Sequence, residues 1–156
     1  MLKYLRGEEI SSHETTEYDF RDKTFLLVED NELNREIALE LLGSFGARLE
    51  AAANGEEAVR LFRASTPGYY SLILMDIQMP VMNGYEAARA IRALSRPDAG
   101  TVPIIAMTAD AFVEDIRNAE AAGMNGHMAK PLSFDTLAME IEKYFTDRLH
   151  NKEGGE

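Results

Sequence analysis

The stretch Ser71-Leu-Ile-Leu-Met-Asp-Ile-Gln-Met-Pro-Val-Met-Asn-Gly84 runs four apolar residues together, then an acid, then a segment broken by Pro80 and Asn83-Gly84. A short apolar run without alternation is the mark of a strand covered on both faces. Directly after it, Tyr85, Ala88, Ile91 and Leu94 recur at helical spacing. The same strand-then-helix unit repeats along the chain. Strands are expected at Thr24 to Val28, Arg48 to Ala52, Leu72 to Met75, Pro103 to Met107 and Gly126 to Met128. The helices between them carry Leu33, Ile37, Leu41 and Phe45 with Ala38 and Leu42; then Ala58, Leu61 and Phe62; then, after the Tyr85 set, Phe112, Ile116 and Ala119; and last Phe134, Leu137, Ile141 and Phe145. Five strands alternating with five helices predict βαβ units, a parallel sheet and a three-layer α/β/α domain. The third and fourth strands are expected nearest its centre. Asn54-Gly55, Asn83-Gly84, Ala122-Gly123 and Asn125-Gly126 read as turns between periodic segments, and Pro67-Gly68 as a break before the third strand.

Outside this repeat, residues 1–22 are polar and acidic, with no sustained apolar period, and are expected to be a linker or tail; 23–147 form the domain and 148–156 a second tail. The 156 residues suit one domain of about 100–150 residues plus these tails. With 46% hydrophobic and 28% charged residues the composition is that of a globular protein. There is no cysteine, which excludes disulfides, thiolate metal sites and cysteine nucleophiles. No apolar run approaches the about 20 residues needed to cross a bilayer, and the first residues lack a secretory signal, so direct membrane insertion is not expected and the cytoplasm is the expected compartment. A net charge of −11, from 27 acidic and 16 basic residues, argues against a nucleic-acid partner. No Gly-rich nucleotide-binding fingerprint occurs, so the chain by itself is not a kinase.

Glu29 and Asp30 follow the first expected strand and Asp76 follows the third. In an open parallel sheet, ligands bind outside the carboxyl ends of the strands, so the three carboxylates are expected to converge. Like charges at close range drive each other toward protonation, whereas a hard cation favours their ionised forms. Magnesium suits such a site, since it takes one or two carboxylates, keeps waters and accepts a phosphate oxygen; manganese is the expected substitute. Acids after strands also serve as ordinary helix N-caps, and Asp76 is what tips the pair toward a metal site. Thr108 ends the fourth strand and Lys130 follows the fifth, adding a hydroxyl and an ammonium at the same edge. Together these groups match the needs of a phosphoryl group: Asp76 as nucleophile, Lys130 and Thr108 on its oxygens.

The segments Val28-Glu-Asp-Asn-Glu-Leu-Asn-Arg35, Leu74 to Gly84, Pro103-Ile-Ile-Ala-Met-Thr-Ala109 and Ala129-Lys-Pro131 resemble the response-regulator receiver family, most of all the receivers of hybrid sensor histidine kinases. The resemblance covers residues 23 to 147. It implies a flavodoxin-like (βα)5 doubly wound sheet, phosphorylation of Asp76 and metal binding by Glu29, Asp30 and Asp76. It further implies that the Gln78 backbone carbonyl completes the metal site, that Thr108 is the switch hydroxyl, that Lys130 pairs with phosphate, and that Lys130-Pro131 is cis. The implied partner is a histidine kinase or histidine phosphotransfer protein, with room for a weak homodimer.

One position departs from the family: a Tyr or Phe usually stands three residues before the lysine, and here it is His127. His127 either rotates with Thr108 as the moving half of the switch or is a strand residue that merely fits. Gln78 and Asp110 occupy positions that tune phosphoryl hydrolysis in the family. Ser12-His13-Glu14 superficially matches a phosphorylatable histidine motif, but the residues after it do not continue one. With about nine residues after the last expected helix, no output domain is expected to follow. That leaves either an excised receiver of a hybrid kinase, whose parent could be membrane-anchored, or a single-domain regulator. Two other classes remain as alternatives: an interaction module that never takes phosphate, and a magnesium-dependent phosphatase. The phosphatase would want a second acid two residues after Asp76, where Gln78 stands.

Overall fold

The computed structural model describes residues 20–109 and 113–154, and their side chains as far as residue 145. Asp110, Phe112 and the segment ahead of Phe20, with Ser12-His13-Glu14, lie outside the described residues. Strands β1 (Thr24–Val28), β2 (Arg48–Ala52), β3 (Leu72–Asp76), β4 (Ile104–Thr108) and β5 (Gly126–Ala129) alternate with helices α1 (Glu32–Gly43), α2 (Gly55–Ala64), α3 (Gly84–Arg92), α4 (Val113–Ala121) and α5 (Phe134–Gly154). All pairings are parallel, in the order β2-β1-β3-β4-β5, which is the flavodoxin-like order.

β3 is central, flanked by β1 and β4. All three are buried at every residue, as strands covered on both faces must be. Alternate residues serve opposite layers. Leu26, Val28, Ile73, Met75, Ile104 and Ala106 pack with α2, α3 and α4, while Phe25, Leu27, Leu72, Leu74, Ile105 and Met107 pack with α1 and α5. Each fully buried Leu or Ile contributes about 1.5–3 kcal/mol. β2, at the edge, keeps only Ala52 buried.

Four expectations need correction. On α1, the buried residues are Ala38 and Leu42, with Phe45 beyond the helix end; Leu33 and Ile37 are 65% and 46% exposed. Two stripes offset by one residue share the same spacing, and only packing separates them. Asn54-Gly55 and Asn83-Gly84 are helix starts rather than turns: each Asn is an N-cap, its side chain accepting from the amide three residues on, with a full capping box to Glu86 at Asn83. Phe20 belongs to the core although it falls in the expected linker; its N–H donates to the Phe45 carbonyl, and its ring meets those of Phe25, Phe45 and Phe145 at 5.3–5.8 Å. Lastly, α5 continues to Gly154, past the boundary expected at 147.

Candidate functional site

The crossovers leave β1 toward one layer and β3 toward the other, so a crevice opens between their carboxyl ends. Glu29 extends β1 by one bond, its N–H donating to the Ala52 carbonyl at 3.0 Å, which fixes its side chain over that crevice. Asp76 is the last residue of β3 rather than the first after it. Thr108 likewise closes β4, and its carbonyl accepts the Lys130 N–H at 2.8 Å, so one backbone bond aligns the hydroxyl-bearing and lysine-bearing strand ends. The Lys130-Pro131 peptide is cis, as the resemblance implied.

Glu29, Asp30 and Asp76 each offer a carboxylate oxygen, and these oxygens lie within 4.8 Å of one another. Glu29 and Asp76 are buried and Asp30 is exposed. Lys130 Nζ stands 3.0 Å from Glu29 Oε1 and 3.0 Å from Asp76 Oδ2, the one ammonium shared by two buried carboxylates. Asp76 Oδ1 accepts a longer bond, 3.3 Å, from the Gln78 N–H. Burial raises the Asp76 carboxyl, the Glu29 charge adds to this, and Lys130 opposes it; the group is pushed up to about 6. Burial alone would depress the Lys130 ammonium, but its bonds to Asp76 and Glu29 outweigh that and hold it above its ordinary value. One cation does not balance three acids. An all-oxygen set with one exposed member is the donor chemistry that a partly hydrated hard divalent ion fits.

The structure thus brings Glu29, Asp30, Asp76 and Lys130 together and sets Thr108 on the neighbouring strand end. It does not bring His127 to them. His127 pairs in register with Ala106 and Ala129 with Thr108, so His127 lies one pleat below Thr108 on the same face. It is exposed there and lines a groove of about 460 Å³ between α4 and α5 with Asn125, Glu140 and Tyr144.

Supporting residues escaped sequence reasoning. Asn31 caps α1 and donates its N–H to Glu29 Oε2 at 3.2 Å, and Arg35 Nη1 donates to the Glu29 carbonyl at 2.9 Å. Gly84 is needed for close approach: a Cβ there would collide with the Asp76 carbonyl oxygen, and its N–H donates to the Ile77 carbonyl at 2.8 Å. The only available hint was that a glycine falls at a helix start, where none is needed for backbone angles.

Fold and site together define a doubly wound α/β domain with an acidic, lysine-bridged pocket at its switch point. The family model described as "Response regulator receiver domain" matches residues 25–142, and the chain belongs to that family. Among curated relatives, it is 34% identical over 144 residues to the peroxide stress-activated histidine kinase mak1 of Schizosaccharomyces pombe, covering 90% of this chain and 9% of that protein. It is 41% identical over 122 residues to the two-component response regulator ORR41 of Oryza sativa subsp. japonica, covering 76% of this chain and 91% of that protein. The chain spans 9%, 17% and 14% of three of the longer relatives. Among solved structures, the receiver domain of a sensor histidine kinase of Pseudomonas aeruginosa, with magnesium coordinated in its active-site cleft, superposes with a TM-score of 0.70 at 39% identity, covering 78% of this chain and 96% of that one. The receiver domain of Ssk1 from Saccharomyces cerevisiae, crystallised with the histidine phosphotransfer protein Ypd1, gives a TM-score of 0.69 at 32% identity, covering 78% and 88%.

Proposed function

We propose that this chain is a phosphoacceptor that takes a phosphoryl group from a phosphohistidine donor onto Asp76, and that the transfer depends on magnesium. The observation that carries the reading is the convergence of three carboxylate oxygens within 4.8 Å beside an ammonium 3.0 Å from Asp76. Glu29, Asp30, Asp76 and the Gln78 carbonyl would hold the ion, with manganese as a substitute; when bound, it neutralises the carboxylates and the phosphoryl oxygens. The Asp76 carboxylate forms the new O–P bond as the donor's P–N bond breaks, and the imidazole leaves with the electron pair. Lys130 moves from the carboxylate pair to a phosphoryl oxygen, and the Thr108 hydroxyl donates to another. Thr108 turning inward, with His127 beside it, would then repack the groove between α4 and α5 as a population shift.

The donor is a histidine kinase or a histidine phosphotransfer protein. The exposed Leu33 and Ile37, and an apolar notch lined by Ile37, Pro131 and Leu132 next to Lys130, offer it a docking surface. Long relatives that are histidine kinases support a receiver cut from a hybrid kinase; the 91% coverage of ORR41 supports the alternative of a stand-alone regulator, and the cytoplasm is the compartment proposed for either. Among the described residues, no helix is long and apolar enough to cross a membrane. Incubation with acetyl phosphate and magnesium should add one hydroxylamine-labile phosphoryl group, and Asp76→Asn should abolish it. Equal labelling of the variant, or none of the wild type, would sink the reading.

A further inference from the structure

Val81 sits in the β3–α3 loop that carries Asp76 and Gln78, and its φ is 69°, a region closed to β-branched residues by clash of Cβ with the backbone. The Met82 N–H donates to the Pro80 carbonyl at 2.7 Å, closing a tight turn centred on Val81. The turn is held from outside. The Gly55 N–H donates to the Met82 carbonyl at 3.2 Å, the Gly84 N–H to the Ile77 carbonyl at 2.8 Å, and the Met82 side chain packs on the core. None of these contacts uses the valine side chain, which is 75% exposed. Glycine or asparagine would suit this backbone better. The fold therefore bears strain for a side chain that does nothing for the fold, and strain of this kind is a pointer to function.

The company of Val81 says which function. Among the described residues, five large apolar side chains are exposed: Leu33, Ile37, Val81, Val113 and Met139. Four of them lie on the segments that leave β1, β3 and β4 at the carboxyl edge, around the carboxylates. A phosphohistidine can reach Asp76 only if its protein covers that edge, and Val81 stands exposed in the loop that leaves it, five positions after Asp76.

We propose that Val81 is a specificity residue for the phosphohistidine protein that docks over Asp76, making an apolar contact which that protein shields from water. This rests on the acceptor reading above. Val81 is outside the metal and phosphate groups, so a small phosphodonor should be indifferent to it. The probe is Ypd1 phosphorylated on its histidine, with acetyl phosphate as the small donor, each used on the full chain. Val81→Gly should cut kcat/KM for transfer from Ypd1 about fivefold, through KM, leave acetyl phosphate labelling unchanged, and raise the thermal midpoint by about 2–4 °C as the strain is relieved. Val81→Asn should behave alike without glycine's added chain freedom, and Val81→Ile should restore transfer. Unchanged transfer from Ypd1 in both the Val81→Gly and Val81→Asn variants overturns the inference, as does a parallel loss with both donors, which would make Val81 a support of the loop. Wild-type chain that takes acetyl phosphate but not Ypd1 phosphate also counts against it. Failure of acetyl phosphate labelling in the wild type would instead bring down the acceptor reading, and this one with it.

Discussion

The two ends of the sheet are built on opposite terms. At the carboxyl end, three acids face one lysine, a valine is held at positive φ, and apolar side chains stand in water. At the amino end, by contrast, Arg92, Arg96 and Asp98 are each held by several partners. Arg96 donates to the Phe62 carbonyl at 2.6 Å, to Ser65 and to both oxygens of Asp98, and its guanidinium lies 4.4 Å from the centre of the Phe62 ring. Arg92 donates to the carbonyls of Gly123 and Ala99 and to Asn125 Oδ1, tying α3 to the turn before β5. Both arginines donate to helix-end and loop carbonyls, Arg96 joining Ser65 on the carbonyl of Phe62 near the end of α2. Polar groups at the end remote from the chemistry are thus well matched, while those at the other end stay frustrated.

The division can be broken by mutation. Lys130→Met should slow acetyl phosphate labelling about a hundredfold, the scale of losing one charge-stabilising donor. With magnesium present the loss of stability should be small. If the two fall together, the site lysine is structural and the division is wrong. Arg96→Ala should do the reverse, lowering unfolding free energy by about 2–3 kcal/mol in urea titrations while labelling persists.

pH sharpens the contrast, because the two ends should respond with opposite sign. Asp76 titrates about 6 when folded against 3.8 in the free residue, so in chelator the native state binds the extra proton between these values. Its contribution is therefore fully present below 3.8 and is lost as pH rises through about 6. Asp76→Asn should remove that fall, and magnesium, which favours the ionised form, should offset it. Asp98 is held below its ordinary value, chiefly by the Arg96 hydrogen bond and also by the Gly68 N–H. Its contribution is present above the ordinary carboxylate range and disappears as pH drops through the lowered value. Asp98→Asn should flatten that acid limb, the smallest of these effects, seen as thermal midpoints followed downward from pH 5.

Much of the carboxyl end was legible because strand ends can be read locally. An apolar run followed by Glu29-Asp30 or Asp76 carries its own address, and a parallel sheet collects such addresses at one edge. Leu33 and Ile37 were misread because helical spacing describes an outward stripe as well as an inward one. The strain at Val81 depends on bonds from Gly55 and to Pro80, and the closeness of Gly84 to Asp76 on how α3 seats; neither leaves a mark in residue type beyond the glycine. At the amino end almost nothing was readable. Arg92 and Arg96 reach carbonyls up to 34 positions away, and any carbonyl would serve, so no sequence pattern announces them.

The contact between Phe20 and Phe145, with ring centres 5.3 Å apart, bears on which edge of the domain is left open. Phe20, the first described residue, and the last helix meet at one corner, at the edge of the sheet opposite Asp76. With the first described residue and the last helix clasped at one corner, the opposite edge works like an open socket, clear for a visitor.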